Sequence, residues 1–263
     1  MLCNNVNKIY YILIILFISN LCFANSNKYH LATNPIKIDH HKPDFANIKD
    51  VAKKKKLFIN FMSKEIKEAN REICSERNNI LSLKKHSDKQ KTLNKQQLEI
   101  IKKYTTFYKV SQDQSLAKQL DDLLIRINIA PKSLVIAQAI LETGWGTSRF
   151  AVKYNNYFGL HCFEKDCGVK AKRSDVQVET FNDVGDSVLA YYHKLNTGGK
   201  FTEFRHVRAS TNLDKNDEAL IDTLGEYSSL EDQEYQKRLK NVIKYNHLDR
   251  YKSSCGMIES SDN

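Results

Sequence analysis

Glu142 is the one acidic residue between Leu134 and Gly159, and it ends a run that is apolar at nearly every helical position. Leu134, Val135, Ala137, Ile140 and Leu141 cover most of the helix surface, the pattern of a helix packed inside a domain rather than laid on it. A carboxylate in such a run loses hydration. Gly144 and Gly146 follow at once, which sets Glu142 at the helix C-terminus, where the negative end of the helix dipole disfavours an ionised carboxyl. With Trp145 beside it to exclude water, its pKa is expected to rise. A carboxyl that stays protonated near neutral pH can serve as a general acid. The other reading of the same residues is a glutamate that faces solvent at a frayed helix end.

The elements that must position this residue follow from local pattern. Pro131 suits the first turn of the Glu142 helix, where no backbone N–H is needed. After the glycines, Thr147 or Ser148 can cap a short helix through Tyr154, and Asn155 to Gly159 is a turn that presents aromatics. Leu160 to Phe181 changes character: it holds two cysteines, Gly168 and the alternation Val176-Gln177-Val178-Glu179-Thr180-Phe181, which predicts the β-prone region of the chain. Helices are predicted over Val184 to Leu195, ended by Gly198-Gly199, then over Leu213 to Tyr227 and Asp232 to Tyr245. Upstream, Phe58, Phe61, Met62, Ile66, Ala69 and Ile73 recur at helical steps and predict an amphipathic helix from Val51 to about Asn79 that packs on the main domain. Lys84 to Lys95 reads as a charged connector, and Leu98 to Tyr108 and Ser115 to Ile127 as two further helices. Asn25 to Lys49 carries Pro35 and Pro43 and shows no period, so it reads as a linker or an arm draped on the domain.

The 263 residues suffice for one large domain with an accessory segment. Lys8, the apolar run Ile9 to Phe17 and the small residues around Ala24 predict a signal peptide over 1–24 and an exported protein of the periplasm or cell envelope; an uncleaved N-terminal anchor is the alternative. Removal of that segment takes Cys3 and Cys22 with it and leaves Cys74, Cys162, Cys167 and Cys255 in a compartment where disulfides persist. Cys162 and Cys167 bracket the short loop FEKD and can meet at disulfide distance. Cys74 and Cys255 then pair by elimination. A zinc site from His161, Cys162 and Cys167 lacks a fourth ligand at standard spacing, and His40 and His41 read as incidental, without a carboxylate or cysteine at ligand spacing, so neither a metal nor any other cofactor is expected.

The formal charge is +10, from 41 Lys and Arg against 31 Asp and Glu. A basic exported protein meets the anionic cell wall and acidic lipid head groups. No aromatic-and-arginine RNA motif or DNA-binding element accompanies the charge, which argues against nucleic acid, and Lys53 to Lys56 reads as a solvated helix face. There is no nucleophile-elbow sequence, and the cysteines read as paired, which argues against acyl-transfer chemistry.

Four blocks in order, AILETGWGTSRFA, NNYFGLHCFEKDCG, FNDVGDSVLAYYHKLNT and EYSSLEDQEYQKRL, resemble the Bax-like members of the glucosaminidase family, glycoside hydrolase family 73. PDFANIKDVAKKKKLFINFM is similar to the N-terminal part of the same proteins, so the resemblance runs from about Pro43 to Tyr245. It implies an α+β, mainly α fold: a lysozyme-like helical domain over 111–250 with a small β-lobe and a groove between lobes. An N-terminal helical segment over 50–110 and a tail over 251–263 are added to it. It also implies hydrolysis of the β-1,4 bond after N-acetylglucosamine in peptidoglycan. Separately from the resemblance, a monomer with no stable membrane span once the signal is removed is expected. Glu142 matches the family's essential acid, Tyr227 opens its Tyr-x-x-x motif, and Asn156, Tyr157, Phe158 and Gly159 match the loop that flanks the sugar sites.

Such an acid protonates the leaving-group oxygen while positive charge develops on the sugar. A second carboxylate about 6.5–9.5 Å away would position a water, and one at about 5–5.5 Å would act as a nucleophile. Glu179, Asp175 and Glu164 are the candidates, with Glu179 preferred; the substrate's own acetamido group, with Tyr227 orienting the sugar, is the alternative. Trp145, Tyr157 and Phe158 are expected near the groove as surfaces on which sugars could stack, with Trp145 equally readable as a structural wall behind Glu142; Tyr192 reads as core, and Asp186 as a cap or support at the start of its helix. The same acid would also serve a lytic transglycosylase, and a wall-binding protein that keeps the fold without catalysis is the non-enzymatic reading.

Overall fold

The computed structural model describes residues 28–31, 41–89, 91–163, 167–170, 176–211, 217–228, 233–253 and 255. The signal segment, His40, Glu164 and Asp175 lie outside them. Helix α1 (Val51–Asp88) is the spine, capped by Asp50, whose carboxylate accepts the Lys53 N–H at 3.0 Å. Its buried face begins with Phe58, Phe61, Met62 and Ile66, as the periodicity predicts, and continues to Ile80 and Leu83. Because of those two residues the helix does not give way to a connector at Lys84: the charged stretch is its last turn, with Lys84 paired to Asp88 and to Asp121.

Helices α2 (Lys95–Phe107) and α3 (Leu116–Arg126) follow, the first closed by a capping box between Asn94 and Gln97 and the second capped by Ser115. Helix α4 (Lys132–Thr143) starts one residue after Pro131, which occupies the N-cap rather than the first turn. It is buried from Ser133 to Ile140, packed against α1 and against the C-terminal helix, and Gly144 ends it in the left-handed region at φ 55°. Ser148 caps the short α5 (Arg149–Tyr154).

The β-prone region forms an antiparallel three-stranded sheet of two-residue strands, β1 (His161–Cys162), β2 (Val169–Lys170) and β3 (Gln177–Val178), in the order β1-β3-β2. Helix α6 (Val184–Thr197) is capped by Asp183, whose carboxylate accepts the Asp186 N–H at 2.8 Å. Helix α7 (Thr202–Ser210) has no counterpart in the hydrophobic periodicity. It is tied down by buried Arg208, which donates to the carbonyls of Asn128, Ile125 and Arg126 at the end of α3. The single helix predicted over Leu213 to Tyr227 is instead α8 (Asp217–Asp222) and a 3-10 turn, Gly225–Tyr227; α9 (Glu234–Tyr245) completes the domain against α4. Cys74 of α1 is joined to Cys255, with Cα atoms 5.2 Å apart.

The N-terminal arm is pinned at Lys28–Leu31. Leu31 is buried, its carbonyl accepts from Lys103 Nζ at 2.6 Å, and the His30 ring lies between Glu72 of α1 at 2.9 Å and Asp186 of α6 at 3.0 Å. Asp186 is therefore an anchor for the arm, with Asp183 as the cap. Burial opposes a charged imidazole, but the hydrogen bonds and charges of the two carboxylates outweigh it and raise His30 to about 9. A pKa raised in the folded state contributes stability that is fully present below the ordinary value of 6.5 and declines as pH rises through about 9. Urea unfolding across that window should show the decline in the wild type and a flatter profile in His30→Gln.

Candidate active site

Burial of α4 carries Glu142 to the edge of a cavity of about 600 Å³ whose walls also include Gly159, Glu179, Lys194 and Tyr227. The volume is that of a ligand site. Glu142 Oε1 accepts the Tyr235 hydroxyl of α9 at 3.1 Å. The same hydroxyl accepts from Gln138 Nε2 at 2.9 Å, and Gln138 Oε1 accepts from the Tyr191 hydroxyl of α6. Glu142 Oε2 lies beside Gly159: a Cβ at Gly159 would stand 2.8 Å from it, and φ there is +58°. Glycine is required at that position both for the backbone and for the room left to the acid.

Burial pushes the Glu142 carboxyl above the usual range; the hydrogen bond from Tyr235 and the charge of Lys194 pull the other way without cancelling it. The turn after α4 passes through the left-handed region at Trp145 and Gly146, and it points the indole at Phe58 of α1, ring centroids 5.6 Å apart. Trp145 is not among the residues that line the cavity and packs as a wall against α1, in line with the second of its two expected places.

Two other expected sugar platforms are core residues. Tyr157 is 1% exposed and stacks on Phe58; Phe158 is 0% exposed and stacks on Tyr191 at 4.3 Å. The turn presents them inward because Asn156, itself buried, folds the chain over: its Oδ1 accepts from the N–H of Phe158 and Leu160, and its Nδ2 donates to the carbonyls of Leu160 and Glu179. Asn156 and Gly159 thus shape the site from beneath. Phe163, which the sequence reading passed over, lines the cavity and is 93% exposed. The Cys162–Cys167 disulfide, with Cα atoms 5.9 Å apart, closes the loop that carries it and leaves neither sulfur as a thiolate for a metal.

Tyr227 lines the cavity with its ring stacked on Tyr235, but its hydroxyl donates to the Phe158 carbonyl at 2.9 Å. The tyrosine that touches the acid is Tyr235, eight residues on in the same sequence block. Lys194 was also missed: its Nζ sits 4.2 Å from the Tyr227 ring centroid, and burial, joined by the like charge of Lys200 and opposed by Glu142, lowers it to about 8. A lysine in an amphipathic helix reads as surface; only the packing of α6 turns it to the cavity. Glu179, at the end of β3, shares the cavity with Glu142, and its carboxylate accepts from Lys28 Nζ at 3.1 Å and from the Tyr29 hydroxyl.

Residues 117–248, half of the chain, match the glucosaminidase family (mannosyl-glycoprotein endo-beta-N-acetylglucosaminidase). The matched span contains Glu142, Glu179, Lys194, Tyr227 and Tyr235. Protein bax of Escherichia coli (strain K12) is 33% identical over 168 residues, 64% of this chain and 60% of that protein, so the alignment spans less than two thirds of the relative. Among solved structures, the catalytic domain of the autolysin Auto from Listeria monocytogenes aligns over 78% of this chain and 92% of its own at 16% identity, with a TM-score of 0.44.

Tyr235 and Lys194 both favour the ionised form of Glu142, so removing either raises its pKa further. In protein labelled with 13C at glutamate carboxyls, the Glu142 resonance should titrate at higher pH in Tyr235→Phe and in Lys194→Met than in the wild type.

Proposed function

The chain belongs to the glucosaminidase family, and from that premise we propose that it is an exported glycoside hydrolase that cleaves the β-1,4 bond after N-acetylglucosamine in peptidoglycan, with Glu142 as general acid. The observation that carries the reading is a buried carboxyl, raised above the usual range by that burial, on the wall of a ligand-sized cavity that also holds Glu179. Peptidoglycan as the polymer fits the basic charge of the chain, and export fits its two disulfides.

Glu142 gives its proton to the glycosidic oxygen as the bond to the leaving sugar breaks. The carboxylate left behind keeps the Tyr235 hydroxyl on Oε1 and the positive charge of Lys194 nearby, and both stabilise it as it forms. Glu179 is the second carboxylate, acting on the face of the sugar where water arrives. Tyr227 contributes its ring and a fixed floor, since its hydroxyl is committed to the Phe158 carbonyl. Phe163, rather than Tyr157 or Phe158, offers an apolar face for a pyranose ring to stack on.

Digestion of purified peptidoglycan followed by mass spectrometry of the fragment ends tests the reading. Reducing N-acetylglucosamine ends are expected from the wild type, with release about 10²-fold or more slower from Glu142→Gln. Anhydro-muramic ends would make the protein a lytic transglycosylase using the same acid. Strong pelleting with the wall, indifferent to Glu142→Gln and without new ends, would make it a binding protein.

A further inference from the structure

We infer that the N-terminal arm belongs to the active site: Tyr29, assisted by Lys28, is the positioning residue for Glu179. The inference rests on Glu179 being the second carboxylate of the proposed reaction. Both arm residues lie outside the span matched to the family, so family membership does not account for them.

The geometry has three parts. First, Glu179 is held by its backbone from below: its N–H donates to the Leu160 carbonyl and its own carbonyl accepts from Asn156 Nδ2, each at 2.9 Å. Second, its side chain is held from the arm. Lys28 Nζ and the Tyr29 hydroxyl both donate to Oε1, and among the described residues no donor reaches Oε2. Two donors on one oxygen stop the carboxylate from rotating and leave the other oxygen for a water or a sugar hydroxyl. Third, Tyr29 is itself fixed. Its ring meets His193 edge-on at 5.5 Å and Phe181 at 6.3 Å, while the next two residues are sunk into the domain, His30 between Glu72 and Asp186 and Leu31 in the core. His30 and Leu31 anchor the arm. The two polar groups that precede them converge on a carboxylate of the cavity, and Tyr29 lines that cavity too.

The two donors are unequal. Lys28 is 41% exposed at its side chain, where an ion pair contributes little, whereas the Tyr29 hydroxyl is partly buried. The other titratable groups around the cavity are Glu142, His161, His193, Lys194, Lys200, Glu226 and Tyr227, and none of them has a bond to the Glu179 carboxylate among the described residues.

The test uses the full mature chain with Tyr29→Phe, which keeps the ring and its packing, Lys28→Met and Glu179→Gln. On peptidoglycan, Tyr29→Phe should lower kcat about tenfold with little change in KM, and Lys28→Met less. Neither should cost anything further in the Glu179→Gln background. A kcat at the wild-type level overturns the inference, as does one that rises, which would make the arm a block on the cavity, or a loss that persists in the Glu179→Gln background. Independently of turnover, the 13C carboxyl resonance of Glu179, identified by its absence in Glu179→Gln, should move in Tyr29→Phe at fixed pH; an unmoved resonance also overturns the inference. Wild-type activity in Glu179→Gln would remove Glu179 from the proposed mechanism, and the resonance alone would then decide whether the arm orients it.

Discussion

A carboxyl group can leave water only where other groups take over part of its hydration, and at Glu142 that group is the Tyr235 hydroxyl. The bond joins α4 to α9, and behind it a chain of side chains runs from Tyr235 through Gln138 to Tyr191, joining both helices to α6. Gln138 is fully buried in the middle of an apolar helix, a position that is costly for an amide unless both ends are bonded, and here both are. Helices α4, α6 and α9 are thus held in register by the same polar chain that leads to the Glu142 carboxyl. Packing and chemistry are one constraint: the contact of α4 with α9 both buries Glu142 and supplies the donor that steadies its anion.

The N-terminal third of the chain works on the site from the other side. Phe45 and Phe58 receive the turn after α4, where the left-handed run from Gly144 to Gly146 would be strained without a surface to dock on; a Cβ at Gly146 would come 2.5 Å from the Phe45 ring. The disulfide from Cys74 of α1 to Cys255 ties this segment to the C-terminal part of the chain. The arm at Lys28–Leu31 reaches past α1 to α6 and the sheet. Lys28 and Tyr29, in a segment that composition marks as a linker or a draped arm, are therefore part of the surroundings of Glu179.

What could be read from pattern was local. The α4 run, its glycine stop, the Ser148 cap, the β-prone alternation and the amphipathic start of α1 each depend on residues within a few positions of one another, and each appears where the spacing put it. The length of α1 was misread because lysines mask the apolar stripe that Ile80 and Leu83 continue. Helix α7 was missed because it is held by Arg208 bonded to carbonyls of a distant helix rather than by an apolar face of its own. Tyr157 and Phe158 were placed in the groove because a turn rich in aromatics looks exposed; Asn156 folds them inward by bonding to Glu179 and Leu160, and nothing in the turn alone announces that.

The sequence by itself determined that one carboxyl would sit at the end of a buried helix, since hydrophobic period and glycine placement act over a single turn or two. Only the tertiary structure decided what surrounds that carboxyl. Tyr235 is 93 residues from Glu142, Tyr29 is 150 residues from Glu179, and Lys194 turns to the cavity only because α6 packs as it does. Such partners are chosen by how helices pack, and packing depends on the summed shape of many side chains rather than on the spacing of any few. A glutamate at the end of a buried helix is thus visible in one dimension, while the groups that meet its carboxyl, and the arm residues that bond to Glu179, come together only in three.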